Sequence, residues 1–348
     1  MKTEEKRQRE SYGLHTWIGL AGLTLAAMLA AVCLGNVDIP VGECLQVFRA
    51  ALTGAEASDP GTASILLAVR LPRVLCVALS GASLSVCGAA MQGLLKNPLA
   101  DGSTLGISSG ASLGAALAIA FGFQLPRLPF SGSVILAALF AFVSLILILS
   151  LSYMLDSSFS TNTIILLGIV YSMFVSSILS LVVTFAPDKL KQITFWTMGS
   201  LEGSSYQNAL VLSVMLAVCG TILIRLSEEL NAFAIGEENA MNVGVNVTRV
   251  RLVILVTVSL LIGTCVSIGG TIGFVGLVTP HIIRLLTGPN HRRLLPASMF
   301  GGAAFLTLAD LAARTIARPR ELPIGVVTSF VGAILFVCIY YKVGRAAR

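Results

Sequence analysis

The sequence predicts an all-α, polytopic membrane protein with about ten transmembrane helices. The chain of 348 residues is 55% hydrophobic and only 11% charged, whereas a soluble domain carries about 25% charged residues. Its mean hydropathy is +0.89. The apolar runs recur from end to end and are continuous rather than alternating, which favours membrane-spanning helices over a barrel.

Charged and turn-rich segments divide the chain into ten predicted spans. Most have the roughly 20 residues that a hydrocarbon core about 30 Å thick requires. Lys and Arg precede the first span, as they do in signal peptides, but its length and the lack of a small-x-small cleavage site favour a retained anchor. The predicted bounds are 15–35, 72–95, 104–122, 131–154, 161–186, 205–225, 250–269, 272–287, 295–315 and 323–341.

The seventh and eighth spans are predicted to form a tight hairpin. No Asp, Glu, Lys or Arg lies between Arg251 and Arg284. A single helix over this segment would be about 48 Å long, which exceeds the hydrocarbon core. The sequence GGTIG at 269–273 is the natural place for the reversal, because glycine accepts backbone angles that other residues avoid.

We expect a single transmembrane domain at 15–342 between short tails at 1–14 and 343–348. Of the 23 Lys and Arg residues, 14 fall on the predicted inner side and 9 on the outer side, so both termini are predicted to be cytoplasmic. The net charge of +6 is spread through the loops and does not suggest nucleic acid. The seven cysteines lie mostly in apolar runs without C-x-x-C spacing, so no metal site is predicted.

Small and charged residues mark specific places in the spans. Gly106, Gly110 and Gly114 recur every four residues in the third span, which favours close helix packing over a pore-lining role. The sequence RLPR at 70–73 is predicted to open the second span, with Pro72 in the first turn. Its two arginines then lie at the membrane surface, either as interfacial anchors or as a docking site for carboxylates. Arg314 follows Asp310 by four residues, which also fits an intrahelical ion pair.

Three polar segments fall on the predicted cytoplasmic side. KNPLADG at 96–102 and SSFSTNT at 157–163 are either short loops or a constriction. The connection at about 226–248 is amphipathic, with its glutamates predicted to face water. Within it, ENAMNVG predicts a short helix that ends at Gly244 and presents a knob to a soluble partner.

No catalytic machinery is evident in the sequence. It contains no Gly-Lys-Ser or Gly-Lys-Thr of a P-loop, no H-E-x-x-H and no Cys/His cluster. We therefore expect no cofactor on this chain and predict that any energy from nucleotide hydrolysis comes from another polypeptide. The rival hypothesis is an ion-gradient-driven secondary transporter, for which Asp310 is the one serious intramembrane carboxylate.

Several ordered motifs resemble one known family. In chain order they are RLPR, GAAMQGLLKNPLADGSTLGISSGASLG, FWTMGSL, AIGEENAMNVG, GFVGLVTPHIIRLLTGPNHRRLLP, LADLAAR and ELPIGVVTSFVGA. Over about 65–340, this series is similar to the FecCD family, the permease subunits of bacterial ABC importers for iron–siderophore complexes, haem and vitamin B12.

The resemblance implies a bacterial plasma (inner) membrane subunit that pairs with a second permease copy, most simply as a homodimer. Two ATPase subunits, which hold the ATP and Mg, are implied below it, and an extracellular or periplasmic substrate-binding protein above it. The residues implied are Arg70, Arg73 and Arg314 for binding-protein docking, Glu237, Glu238, Ala240 and Gly244 for ATPase coupling, and Asn97, Leu99, Ser160 and Thr161 for the cytoplasmic gate.

The chain departs from the family pattern at Gly102, Thr271 and Ile334, which puts local helix geometry in doubt. Residues 270–286 combine glycines, a proline and two polar side chains in the predicted eighth span. Gly273 and Gly276 are expected to let the eighth helix pack tightly, and Pro280 to kink it. His281 and Arg284 are predicted near the inner surface, in structural or ATPase-facing roles rather than as a proton relay.

Overall fold

The computed structural model describes residues 2–35, 37, 39–53, 59–124, 130–157 and 159–346, and these contain helices and loops but no strand. The predicted all-α fold class is confirmed. The helices are α1 Lys2–Cys33, α2 Val41–Thr53, α3 Pro60–Ser64, α4 Leu71–Leu94, α5 Ile107–Ala120, α6 Gly132–Leu155, α7 Thr161–Phe185, α8 Leu190–Thr197, α9 Tyr206–Arg225, α10 Ser227–Ile235, α11 Glu237–Asn242, α12 Val247–Gly269, α13 Val275–Thr287, α14 His291–Thr315 and α15 Ile324–Ala346.

Ten apolar helical segments in the described residues match the ten predicted spans. Seven are long and apolar enough to cross a membrane, and three shorter apolar helices occupy 107–120, 275–287 and 324–338. The first helix begins at Lys2, so the segment predicted as a tail at 1–14 is already helical there. The ends of the other spans differ from prediction by five residues or fewer, except at the start of the second span.

The second span does not begin at RLPR. The chain is helical from Pro60, passes through a π-helical segment at Ile65–Arg70 and continues into α4 without interruption. The backbone of Arg70 and Leu71 is right-handed helical. A π-helical turn shifts the hydrogen-bond register, which accommodates Pro72 inside a longer helix. The prediction of a helix start at this proline was therefore wrong.

The third span is shorter than predicted. Residues Gly102–Leu105 form a 3-10 turn, and Gly106 precedes α5 with a left-handed backbone, φ +74°. Gly106 therefore sets the entry of the chain into α5, and it also packs closely, since an added Cβ would lie 3.1 Å from the carbonyl oxygen of Gly168 on α7. Gly110 and Gly114 do lie against α6. An added Cβ on Gly110 would be 1.8 Å from Ser144 Oγ, and one on Gly114 would be 2.3 Å from the Leu136 carbonyl oxygen.

Helix α4 is the centre of the bundle and contacts α9, α12, α13 and α14. Its contact with α14 is made through glycines, because a Cβ on Gly81 would lie 2.3 Å from the carbonyl oxygen of Gly302. Its contact with α13 is closer still: a Cβ on Gly88 would lie 1.9 Å from the carbonyl oxygen of Gly276. Backbone approach of this kind permits dispersion contact where lipid offers no hydrophobic driving force.

The predicted hairpin between the seventh and eighth spans is present. α12 ends at Gly269, and α13 begins at Val275. Gly270 and Phe274 both have positive φ, +68° and +66°, at the two ends of the reversal. The Ser200 amide donates a 2.8 Å hydrogen bond to the carbonyl of Gly269, which ties the hairpin to the segment after α8.

Candidate functional site

A buried cluster of charges joins α4, α14 and the loop before α15. Arg73 contacts Asp310 at 2.9 Å and Glu321 at 2.8 Å, and Arg314 contacts the second carboxylate oxygen of Asp310 at 2.9 Å. Two cations and two anions make the cluster neutral. Asp310 is 1% exposed and Glu321 22%, so the cluster reaches solvent through Glu321.

Arg70 extends this region to the end of α1. Its guanidinium donates to the carbonyls of Val32 and Cys33 at 3.0 and 2.7 Å, and to the carbonyl of Val37. Arg314 likewise donates to the Ala31 carbonyl at 3.1 Å. The arginines therefore bind the carbonyls that the end of α1 leaves without helical partners.

Arg70 and Arg73 are buried inside the protein rather than exposed as interfacial anchors would be, and Arg314 is equally enclosed. Their exposed fractions are 5%, 7% and 3%. Buried cations require partners, and the carboxylates that supply them for Arg73 lie 237 and 248 residues away in the chain. The local pair of Asp310 and Arg314 is confirmed. Docking by these arginines stays a prediction.

The predicted coupling segment forms two short helices, α10 and α11, joined at Gly236. Ala240 is buried, whereas Glu238 is exposed. α11 ends as predicted: Gly244 has φ +89°, and the Val245 amide donates to the Ala240 carbonyl at 3.0 Å. This bond, from the second residue past the helix to its last turn, is the Schellman arrangement.

Of the four glutamates predicted to face water, Glu228 and Glu238 are exposed, whereas Glu229 and Glu237 are half-buried. One carboxylate oxygen of Glu229 is buried. Glu237 accepts a 2.6 Å hydrogen bond from Arg251 on α12, and Arg251 also donates to the Phe159 carbonyl at 3.0 Å. Sequence reasoning missed Arg251, although an Arg next to an apolar run of a membrane helix indicates a partner.

The loop between α4 and α5 holds two of the predicted gate residues. Asn97 Oδ1 accepts a 2.9 Å hydrogen bond from the Leu99 amide, which is an Asx turn. Leu99 is 52% exposed, a large apolar side chain directed away from the bundle core.

The loop between α6 and α7 holds the other two. Ser160 precedes α7, and its hydroxyl lies 2.9 Å from that of Thr163. Thr161 is the first residue of α7. Both polar loops and the coupling segment follow inward-running spans, so the predicted topology brings them to one side of the bundle.

Helix α13 contains the polar residues of the stretch 270–286. Pro280 leaves the carbonyl of Gly276 without its helical donor, and Gln92 Nε2 donates to that carbonyl at 3.3 Å and to the next one at 3.1 Å. Arg284 in turn donates to Gln92 Oε1 at 3.0 Å. His281 is half-buried. Arg284 therefore has a structural contact with α4.

Gly273 does not make the close contact expected of it. An added Cβ there would meet only Ser329 Oγ, at 3.6 Å, whereas one on Gly276 would lie 2.5 Å from Asp101 Oδ1. Gly273 lies in the reversal and lines a cleft of about 430 Å³. Hydroxyl side chains from four elements surround this cleft: Ser108, Thr197, Thr271 and Ser329.

The three departures from the family pattern have different surroundings. Thr271 donates its hydroxyl to the Thr197 carbonyl, which fastens the reversal to α8. A Cβ on Gly102 would lie 1.9 Å from Ile262 Cδ1, so glycine fits there. Ile334 is exposed on α15. Among the described residues, no three His, Cys, Asp or Glu side chains form a group that could hold a metal.

Comparison with known proteins agrees with this architecture. The chain is 42% identical over 95% of its length to YvrB, an uncharacterized ABC transporter permease protein of Bacillus subtilis, 94% of which is covered. It is 35% identical to MolB, the molybdate import system permease protein of Haemophilus influenzae, covering 94% of this chain and 96% of MolB. It is 36% identical to BtuC, the vitamin B12 import system permease protein of Vibrio vulnificus, and this match covers 90% of this chain and 92% of BtuC.

A solved structure has the same fold along nearly the whole chain. It is an inward-facing ABC transporter assigned to the metal-chelate type, with a TM-score of 0.82 and 33% identity, covering 93% of this chain and 98% of that one. The model of the FecCD transport family matches residues 23–342. With ten apolar helices in the described residues and relatives that are ABC permeases, the chain belongs to the FecCD transport family.

Proposed function

We propose that this protein is the membrane-spanning permease subunit of an ATP-driven importer, with no catalytic residue of its own. The observation that carries the proposal is the family match across residues 23–342, together with the short helix α11. This helix is joined to α12 of the bundle by the hydrogen bond from Arg251 to Glu237. Such a helix presents an exposed face to a soluble partner and an anchored face to the transport domain.

The partners that fit this role are two ABC ATPase subunits, a substrate-binding protein and a second permease copy. The ATP and Mg belong to the ATPases. The subunit would reside in the bacterial plasma (inner) membrane as a multi-pass protein, with cytoplasmic termini, as the Lys and Arg distribution favours. α11 would then lie on the ATPase side.

The cargo that fits best is an iron complex, as a ferric siderophore or haem, or cobalamin. Relatives carry the names vitamin B12 permease, hemin permease and iron chelatin permease, while one is a molybdate permease. Binding of the cognate binding protein to a panel of iron chelates, haem, cobalamin and molybdate distinguishes them. Tight binding of molybdate alone would contradict the proposed cargo class.

The buried charge cluster argues against the rival, a transporter driven by protons or sodium. An ion-coupling carboxylate must become neutral or bind a cation during transport. Asp310 instead is already paired with two arginines of the chain itself, each at 2.9 Å.

Uptake in sealed vesicles tests the proposal. The permease and its ATPase are reconstituted with ATP at the ATPase face and loaded binding protein opposite. We expect uptake that requires ATP and persists when proton and sodium gradients are collapsed. Uptake driven by an ion gradient without any ATPase would overturn the proposal.

Docking of the binding protein is proposed to occur by exchange of carboxylates at Arg73. Glu321 is the more exposed of its two acidic partners, so a carboxylate from the binding protein can replace it. Glu321→Gln should then tighten docking, and the gain should shrink as salt rises. Unchanged docking affinity at both low and moderate salt would contradict this role. Glu202→Gln, at an exposed glutamate on another loop, is the control.

A further inference from the structure

We propose that Arg251 is a positioning residue that transmits movement of α11 to the loop at the start of α7. The proposal rests on the proposed function, in which α11 contacts the ATPase. Arg251 lies on α12, whereas two residues that it contacts lie on separate elements: Glu237 begins α11, and Phe159 precedes the predicted gate residues Ser160 and Thr161.

The first observation is that one guanidinium holds both partners from a buried position. Arg251 is 4% exposed. Its Nη2 donates to Glu237 Oε1 at 2.6 Å, and its Nη1 donates to the Phe159 carbonyl at 3.0 Å. A guanidinium is planar and rigid, so the positions of its two nitrogens are coupled. A displacement of Glu237 therefore displaces the donor that holds Phe159.

The second observation is the conformation of the segment that receives this contact. Phe159 has φ +54°, which is rare for a bulky residue and persists only where surroundings impose it. Its side chain is buried and contacts Tyr153, with ring centroids 5.8 Å apart. Its amide donates to the Asp156 carbonyl, and the Ser160 amide donates to the Asp156 carboxylate.

These contacts hold Asp156, Phe159 and Ser160 of this turn together. The side chain of Phe159 lies against α6, its carbonyl accepts from α12, and Ser160 follows directly. Release of the carbonyl would remove a restraint on a strained residue, so the turn has a reason to adopt a second arrangement. Coupling between two sites requires an element of this kind that both sites bias.

The helix α11 offers a matched control. Glu238 follows Glu237 in the same first turn and carries the same charge, but its side chain is exposed. Electrostatic contact between α11 and an ATPase would involve Glu238 at least as much as Glu237. Transmission into the membrane domain would involve only Glu237 and Arg251.

The experiment compares Arg251→Lys, Glu237→Gln and Glu238→Gln in the full complex in vesicles. Cargo uptake and ATP hydrolysis are measured together. Lysine keeps the positive charge but cannot hold both partners as a rigid fork. We expect Arg251→Lys and Glu237→Gln to reduce the cargo transported per ATP by about tenfold, with ATP hydrolysis within about twofold of wild type. Glu238→Gln should leave this ratio unchanged, because weaker contact with the ATPase would lower uptake and hydrolysis together.

The readouts separate this role from a structural one. If Arg251 only stabilised the fold, uptake and hydrolysis would fall in parallel with the amount of folded complex, and this result would overturn the proposal. A wild-type ratio of transport to hydrolysis in Arg251→Lys and Glu237→Gln would also overturn it, while wild-type uptake still supports the permease function. Loss of ATP-driven uptake in wild type would instead overturn the permease function itself, and this inference with it.

Discussion

Asp310→Asn should destabilise the protein strongly, because it removes one of the two anions that neutralise Arg73 and Arg314. The carboxylate is 1% exposed and lies 2.9 Å from both guanidinium groups. The variant leaves the four-residue cluster with a net charge of +1 in a buried site. Removing one partner of a buried ion pair costs about 3–5 kcal/mol, since the remaining charge lacks compensation. We expect a loss of that size in the free energy of unfolding.

The assay is denaturant-induced unfolding of the purified protein in micelles, followed by tryptophan fluorescence. Asp188→Asn is the control, because Asp188 is exposed, and its effect should stay within about 0.5 kcal/mol. Adding Arg73→Met to Asp310→Asn should recover part of the loss by restoring charge balance, a non-additive result. If Asp310→Asn changed stability no more than the control, the assignment of a charge-compensated cluster would be refuted.

Three further variants test other contacts. Gly88→Ala should lower the free energy of unfolding by about 1–3 kcal/mol, since its Cβ would overlap an α13 carbonyl. Gly22→Ala is the control, and it should leave the free energy of unfolding unchanged because the space around Gly22 is open. Gln92→Leu should cost about 1–3 kcal/mol in the same assay by leaving the carbonyl freed by the α13 proline unpaired, and an unaltered midpoint would contradict that role. Gly244→Leu should lower the amount of cargo transported per ATP. Gly203→Leu, which is also at positive φ in open space, should leave this amount unchanged. The same transport per ATP in both variants would contradict the assignment of α11 as the ATPase contact.

Features that depend on local sequence were predictable. The ten spans follow from runs of apolar residues, and the hairpin follows from glycines in a charge-free segment too long for one helix. The end of α11 follows from Gly244, because a left-handed residue after a helix favours glycine. In each case the physical cause lies within a few residues of the feature.

Features that depend on distant partners were not predictable. The arginines of RLPR look like surface residues until Asp310 and Glu321 are brought to Arg73 by the packing of α14 on α4. Pro72 looks like a helix start because the π-helical segment before it has no distinct composition. Arg251 joins Glu237 and Phe159, which lie on two other elements. The residues near Arg251 in the sequence do not indicate these contacts.

The most direct test of the central claim is uptake by vesicles that differ only in the motor. One set contains this permease with its active ATPase, and the other contains the same permease with an ATPase variant that binds but does not hydrolyse ATP. Both have loaded binding protein outside and ATP inside. If import is driven by ATP hydrolysis, we expect cargo accumulation only in the first set, with or without an ion gradient. Equal accumulation in both sets under an imposed proton or sodium gradient would contradict it.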